Sequence, residues 1–256
     1  MSAYESLAAF YDELTRDVDY AAFADFYEQL FADAGLRVHS VLDAACGTGS
    51  LSAVLAGRGY DLICADQSEE MLAVAAEKLA EISAAEPPLL LCQPLESLDL
   101  YGTVDAEICS LDGMNYVPPE ELDTVLHRLW LFLEPGGMLV FDVNTPEKLK
   151  AMDGEVFLDE TEDVYCVWRA EVDAAANACV YGIDLFFARD GLWERAFEEH
   201  VEYIHTPDTL RERLLAAGFA DVRLYGDRVL TAPRAGEQRV FFTARKPASA
   251  GQTQRR

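Results

Sequence analysis

Basic residues are scarce in this chain: 20 lysines and arginines stand against 46 aspartates and glutamates over 256 residues, a formal net charge of −26. A nucleic-acid partner needs clusters of Lys and Arg to displace phosphate counterions, and no such stripe is present, which argues against DNA or RNA as substrate. The same charge disfavours anionic membrane surfaces. Long apolar runs are also missing, since no stretch approaches the ~18 residues that a membrane span requires. Glu5, Asp12 and Glu13 stand near the N-terminus, where a secretion signal would be basic. The 6 cysteines, at positions 46, 64, 92, 109, 166 and 179, show no Cys-x-x-Cys spacing. Buried, reduced thiols are therefore expected, with neither disulfides nor a metal site. A soluble, cytoplasmic protein follows as the expectation.

One further absence is more specific. Residues 41–49 read Val-Leu-Asp-Ala-Ala-Cys-Gly-Thr-Gly, an apolar strand that breaks into small residues before a helix starts. Such a turn lets a ligand lie against backbone amides at a helix N-terminus. Asp66 closes the next apolar run, Asp61-Leu-Ile-Cys-Ala65, and an acid at that strand tip, about 20 residues on, accepts from ribose hydroxyls. A nucleoside-type cofactor is thus expected. The dinucleotide pattern Gly-x-Gly-x-x-Gly is incomplete, because Gly47-Thr-Gly49 is followed by Ser50-Leu-Ser52. Asp43 inside the first strand would repel a pyrophosphate and suits a ligand with an ammonium group.

Two helices are predicted over 5–14 and 20–34, the second with Phe23, Phe26, Tyr27, Leu30 and Phe31 at helical spacing and Gly35 as its stop. Strands and helices then alternate: strand 38–44, helix 49–58, strand 60–65, helix 68–82, strands 88–92 and 104–110, helix 119–133, strand 137–143. That rhythm predicts an α/β fold with a doubly wound, mostly parallel sheet. Pro135-Gly136-Gly137 is expected to form a tight turn before the fifth strand. Segments 164–172, 179–188 and 193–204 predict a three-stranded antiparallel insertion, with Asp190-Gly191 at a hairpin turn. Thr206 and Pro207 open a helix that Gly218 ends. Strands 220–225 and 238–245 then form a terminal antiparallel hairpin, and the polar tail 247–256 is expected to be disordered. The predicted organisation is a helical cap (1–35), a cofactor-binding core (36–150), the insertion (151–205) as substrate cap or dimer contact, and the end of the core (206–246).

Asp43-Ala-Ala45-Cys-Gly47-Thr-Gly49 resembles the acid-x-Gly-x-Gly-x-Gly motif of the class I S-adenosylmethionine-dependent methyltransferases, with Ala45 in place of the first glycine. The resemblance extends over roughly residues 38–246. It includes Leu133-Glu-Pro-Gly-Gly137, Leu215-Ala-Ala-Gly-Phe219 and the terminal hairpin that nicotinamide-binding sheets usually lack. The opening Tyr4-Glu-Ser-Leu-Ala-Ala-Phe-Tyr11-Asp12, with Asp19-Tyr20, resembles the cap of a bacterial branch of small methyltransferases. Similarity to the glycine and sarcosine N-methyltransferases is weaker. The resemblance implies a seven-stranded sheet, S-adenosyl-L-methionine as cofactor and methyl transfer to a small-molecule acceptor.

Candidate residues follow from strand ends, where ligands of such sheets bind. Asp43 with the backbone of Ala45, Cys46, Gly47 and Gly49 is expected at the amino-acid end of the cofactor. Asp66 is expected at the ribose, with Gln67 and Met71 beside the adenine and Leu111 as a further cofactor contact. Related proteins often place an Asp after the third strand to read the adenine amino group; here Pro94 stands in its place, which leaves Gln93, Glu96 or the backbone of Leu95. Tyr11 and Tyr20 are candidates for a lid whose rings face the sulfonium. Asp112, Asn115 and Tyr116, after the fourth strand, and His200, in the insertion, are the catalytic candidates. Asp112-Gly113 as a plain turn and Asn115 as a helix cap form the alternative. His39 and His127 are expected to be structural, and Arg195 and Tyr165 are weaker substrate candidates. Two rival functions stay open: a nicotinamide-dependent oxidoreductase and a non-catalytic protein that keeps the fold. A homodimer through the edge of the insertion is also left open.

Overall fold

The structure, a computed structural model, describes residues 7–82, 87–189 and 191–248. A 3-10 turn at Ala8–Phe10 leads into α1 (Tyr11–Leu14) and α2 (Tyr20–Asp33). Then come β1 (Ser40–Ala44), α3 (Ser50–Gly57), β2 (Asp61–Asp66), α4 (Glu69–Ala80), β3 (Leu89–Cys92), β4 (Val104–Cys109), α5 (Leu122–Phe132) and β5 (Leu133–Asn144). The chain continues through α6 (Pro146–Ala151), β6 (Val156–Glu160), β7 (Val164–Asp173), β8 (Ala178–Arg189), β9 (Leu192–Tyr203), α7 (Pro207–Ala217), β10 (Ala220–Tyr225) and β11 (Arg239–Arg245).

Seven strands form one sheet in the order β10-β11-β5-β4-β1-β2-β3. Strands β1 to β5 run parallel to their neighbours, and β11 runs antiparallel to both β5 and β10. Because helices cover both faces, the central strands are mostly apolar rather than alternating. On one face α2 buries Phe23, Phe26, Tyr27, Leu30 and Phe31 with Leu51 and Leu55 of α3. The Phe26 ring meets Phe241 of β11 at 5.0 Å in a T-shaped contact. Each fully buried side chain of this size contributes about 1.5–3 kcal/mol. Asp19 starts α2 by accepting the Ala22 N–H, and Gly35, with φ 66°, follows its end. On the other face Val125, Leu126 and Leu129 of α5 pack with Leu210 and Leu214 of α7.

The insertion holds four strands, in the order β6-β7-β8-β9, rather than the expected three. Strand β6 lies at the sheet edge with Val156, Phe157 and Leu158 exposed, so its sequence carries no alternation to reveal it. Registers run to Arg189 opposite Leu192, which leaves a two-residue hairpin at 190–191; Asp190 lies outside the described residues. Pro135-Gly136-Gly137 is not a separate turn but a bulge inside β5. Val104 pairs with Leu133 and Ala106 with Met138, so residues 134–137 face Asp105 alone. A Cβ on Gly137 would come within 2.7 Å of the Asp105 carbonyl oxygen, which explains the glycine there. The first predicted helix is shorter than 5–14, and residues 1–6 lie outside the described residues, as does the tail from 249. No helix among the described residues is long and apolar enough to cross a membrane.

The position of the insertion matters most for function. Strand β9 lies over the carboxyl ends of β4 and β5. The Asn115 amide donates to the Tyr203 carbonyl at 3.1 Å, and the Asn144 amide donates to Glu202 at 2.7 Å. The Leu7 N–H donates to Glu198 at 2.9 Å, which fastens the N-terminal segment to the same strand.

Candidate active site

A crevice of about 280 Å3 opens at the carboxyl ends of β1, β2 and β4. Its wall begins with the glycine turn. Ala45, Gly47 and Gly49 all adopt positive φ, at 59°, 55° and 71°. These are the three glycine positions of the motif, so the alanine keeps the turn at a conformational cost instead of reshaping it. Gly49 faces away from the crevice: a Cβ there would stand 3.0 Å from the Ala75 methyl, so it permits α3 to start against α4. Gly49 is not among the residues that line the crevice.

Two acids frame the turn. Asp43 is buried at 2% exposure and accepts from the Ser52 hydroxyl. Burial pushes its carboxyl up to about 7, against the Ser52 hydrogen bond and assisted by the charge of Asp66. No side-chain cation among the described residues pairs with this carboxyl, which leaves the site able to take a ligand cation. Asp66, at the tip of β2, accepts the Gly47 N–H at 2.8 Å and the Ser68 N–H at 2.9 Å. It therefore ties the second strand to the turn while lining the crevice. Its pKa is raised by burial in spite of these backbone hydrogen bonds.

Gln67, Met71, Leu95, Glu96 and Leu111 line the same crevice, as do Cys46, Tyr11, Tyr20 and Tyr116. Gln93 also borders it, but its side-chain oxygen accepts the Asp99 N–H at 2.8 Å. The sequence reading missed Thr48, Ser50, Leu51, Val117, Pro118 and Glu121, which also line the crevice. Val117 and Pro118 simply continue the loop after β4, and their proximity in sequence to Tyr116 was the available signal.

Three catalytic candidates do not line the crevice, and the structure gives each another partner. Asp112 accepts from Arg239 at 2.7 Å. Asn115 is fully buried, donates to the Asn144 and Tyr203 carbonyls and accepts the Asn144 N–H. It is a brace between the core and β9. His200 is buried beside Glu198, with Nε2 3.2 Å from the carboxylate. The His200 ring nevertheless stands edge-on to Tyr116 at 6.2 Å, one ring removed from the crevice. His39 is exposed next to Asp61, His127 stacks on Trp130, and Arg195 pairs with Asp184.

Leu111 and Asp112 adopt positive φ, at 55° and 59°. Asp142 at the end of β5 holds this loop by accepting both of their N–H groups, at 2.8 and 3.0 Å. An acid inside the apolar run Met138-Leu-Val-Phe-Asp142 was the sequence signal for this anchor.

Comparison with known proteins agrees with this geometry. A family profile described as a methyltransferase domain matches residues 41–137. The Bacillus subtilis protein YqeM, which carries the name of a methyltransferase, is 28% identical over 246 residues, covering 95% of this chain and 97% of its own. The solved structure of an S-adenosylmethionine-dependent methyltransferase from Clostridium acetobutylicum superposes with a TM-score of 0.84 at 25% identity, covering 96% of this chain and 99% of its own. The sugar N-methyltransferase KedS8 from Streptoalloteichus shares the fold, with a TM-score of 0.78 at 21% identity, covering 96% of this chain and 97% of its own. The sheet order, the glycine turn between two acids and these matches together establish that the chain belongs to the class I S-adenosylmethionine-dependent methyltransferases.

Proposed function

We propose that the protein methylates a small-molecule acceptor that meets the cofactor beneath the antiparallel sheet. The supporting observation is the position of β9: it lies over the ends of β4 and β5 and sets His200 edge-on to Tyr116, a residue of the crevice wall, so the antiparallel sheet borders the crevice on the Tyr116 side. A crevice bordered by a second sheet suits a small acceptor better than a nucleic-acid surface, and the net charge of −26 points the same way. KedS8, which shares the fold, is named for a sugar substrate.

S-adenosylmethionine supplies a methyl group on a sulfonium leaving group. In this reading Asp43 faces the amino group, with Ala45, Cys46 and Gly47 presenting backbone. Asp66 faces the ribose, and Gln67, Met71, Leu95, Glu96 and Leu111 enclose the base. Tyr11 and Tyr20 bring ring faces toward the positive centre. The remaining task of the chain is alignment and exclusion of water. An acceptor that arrives protonated also needs a base. His200, held by Glu198 and edge-on to Tyr116, takes that part by acting through Tyr116. Tyr116 lies between His200 and the crevice as the acceptor contact.

Calorimetric titration with S-adenosylhomocysteine and with NADH tests the cofactor. Methyl transfer from radiolabelled S-adenosylmethionine to a panel of amines, alcohols, phenols and thiols tests the acceptor. Binding of S-adenosylhomocysteine alone, with turnover of at least one panel member that His200→Ala slows, is the expected result. Binding with no turnover on any member favours a non-catalytic role, and binding of NADH alone overturns the reading.

A further inference from the structure

The single-turn helix α1 comes to the crevice from outside the α/β core. Its residues Tyr11 and Leu14, with Leu7 and Phe10 before them, pack on the inner face of the antiparallel sheet. Phe10 meets Phe187 of β8 at 5.2 Å. The next residue after Tyr11 points elsewhere. Asp12 accepts from the Thr48 hydroxyl at 2.6 Å and the Ser50 hydroxyl at 2.9 Å, and its other oxygen lies 2.7 Å from the Lys78 ammonium on α4. Lys78 in turn donates to Ser50 at 2.5 Å. Thr48 and Ser50 belong to the glycine turn and the start of α3, and they line the crevice together with Tyr11.

One carboxylate therefore joins two parts of the crevice wall that come from different layers of the molecule. We propose that Asp12 and Lys78 form a clamp that holds Tyr11 against the glycine turn and sets how long the cofactor stays bound. Both are positioning residues, and neither lines the crevice. The clamp is charged and hydrogen-bonded on every side, which makes it stronger than an isolated surface pair. Burial disfavours the Asp12 carboxylate, but the hydrogen bonds from Lys78 and Thr48 and the charge of Lys78 more than offset it, so its pKa falls below the ordinary value. The Asp12 carboxylate stays charged at neutral pH. With side chains 24% and 42% exposed, the pair is also open to screening by salt.

The geometry makes a chain of consequences. Opening the clamp removes the charged link between α1 and the glycine turn and loosens the hold on Tyr11 at that side. The clamp also couples the antiparallel sheet to the cofactor end, since the same N-terminal segment donates its Leu7 N–H to Glu198.

The test uses the full chain with Asp12→Asn, Lys78→Met and their double variant. S-adenosylhomocysteine dissociation is followed by stopped-flow tryptophan fluorescence, and affinity by calorimetry. Each single change is expected to raise the dissociation rate about 5- to 10-fold, as loss of a charge-assisted interaction implies. The double change is expected to be no worse than either single one, because the two residues act as one unit. Without any cofactor, amide exchange over residues 7–18 is expected to be faster in both single variants. Thr48→Val, which removes one hydroxyl and no charge, gives a milder effect in the same direction and serves should a charge variant fail to fold. Dissociation within about twofold of wild type in every variant overturns the clamp, as does a double variant whose effects simply add. Failure of the wild-type protein to bind S-adenosylhomocysteine is a separate outcome, and it overturns the cofactor assignment and the clamp with it.

Discussion

The half-buried guanidinium of Arg239 on β11 lies against the Asp142 carboxylate at the end of β5, and its other arm reaches Asp112. Asp142 is fully buried and holds the N–H groups of Leu111 and Asp112, so the arginine neutralises the acid that keeps the crevice floor in its left-handed conformation. The terminal antiparallel hairpin thereby reaches the site although it contributes no lining residue to the cofactor crevice.

Removing the arginine leaves a buried acid without its partner, which typically costs about 3–5 kcal/mol. Asp142 is already held above the usual carboxylate range, because burial outweighs the pull of Arg239. Arg239→Met raises it further. A group with a raised folded pKa contributes stability below its unfolded pKa and loses it as pH rises through the folded value. The variant is therefore expected to lose more stability at pH 8 than at pH 5. Urea titrations at both values check this, and equal losses would separate Arg239 from the titration of Asp142.

Asp43 yields a second pH effect, on binding. Its carboxyl is pushed to about 7 by burial, so at pH 6 it is largely protonated in the free protein. A ligand ammonium beside it favours the charged form and drives the proton off. S-adenosylhomocysteine affinity is expected to rise from pH 5.5 to about 8 and then level. Calorimetry in buffers of different ionisation enthalpy reads the released proton directly. Asp43→Asn is expected to abolish the release and weaken binding at pH 8 by about tenfold or more, as loss of a charged hydrogen bond implies.

Ala45 and Gly113 make a matched pair for the glycine turn. Ala45 holds φ 59°, where an L-residue is strained by about 1–2 kcal/mol. Glycine removes that strain and adds some unfolded-state entropy, so Ala45→Gly is expected to stabilise by up to about 1 kcal/mol. Gly113→Ala has the opposite sign. Its new Cβ would stand 2.8 Å from the Cys109 sulfur and 3.3 Å from the Ala45 methyl. Destabilisation of about 1–3 kcal/mol is expected, and Ala45→Gly should relieve part of it in the double variant. Chemical denaturation of the three variants checks both signs and the coupling.

The sequence made the α/β core legible because buried parallel strands and amphipathic helices write their periods into the chain, as Phe23 to Phe31 do for α2. The turn at 43–49 was legible for a different reason, since few residue types tolerate three positive φ values so close together. What stayed hidden depends on distant pairing. Strand β6 is exposed and carries no apolar alternation. Arg239 reaches Asp112 across 127 positions and Asp12 reaches Thr48 across 36. Asn115 looked like a catalytic amide because its loop follows β4, yet its hydrogen-bonding groups are spent on the backbone of β5 and β9. No local pattern distinguishes a polar side chain aimed at a ligand from one aimed at a neighbouring strand.

Glu107 shows what such a polar residue costs away from the site. It sits in β4 at 0% exposure, and neither carboxylate oxygen has a hydrogen-bond partner among the described residues. Burial drives its pKa well above the ordinary value, and Lys246 offsets only part of that. The folded protein therefore keeps this carboxyl protonated at pH values where the unfolded chain ionises it. Folding stability declines as pH rises above the unfolded pKa and continues to decline up to the folded one. Glu107→Met fills similar volume without the proton, so it is expected to stabilise by about 1–3 kcal/mol at pH 8, the usual range for relieving an unsatisfied buried group. The gain should shrink steadily toward pH 4.5, where both states of the wild type are increasingly neutral. Thermal unfolding of wild type and variant from pH 4.5 to 8 measures the difference, and a gain independent of pH would mean that packing, not ionisation, governs this position.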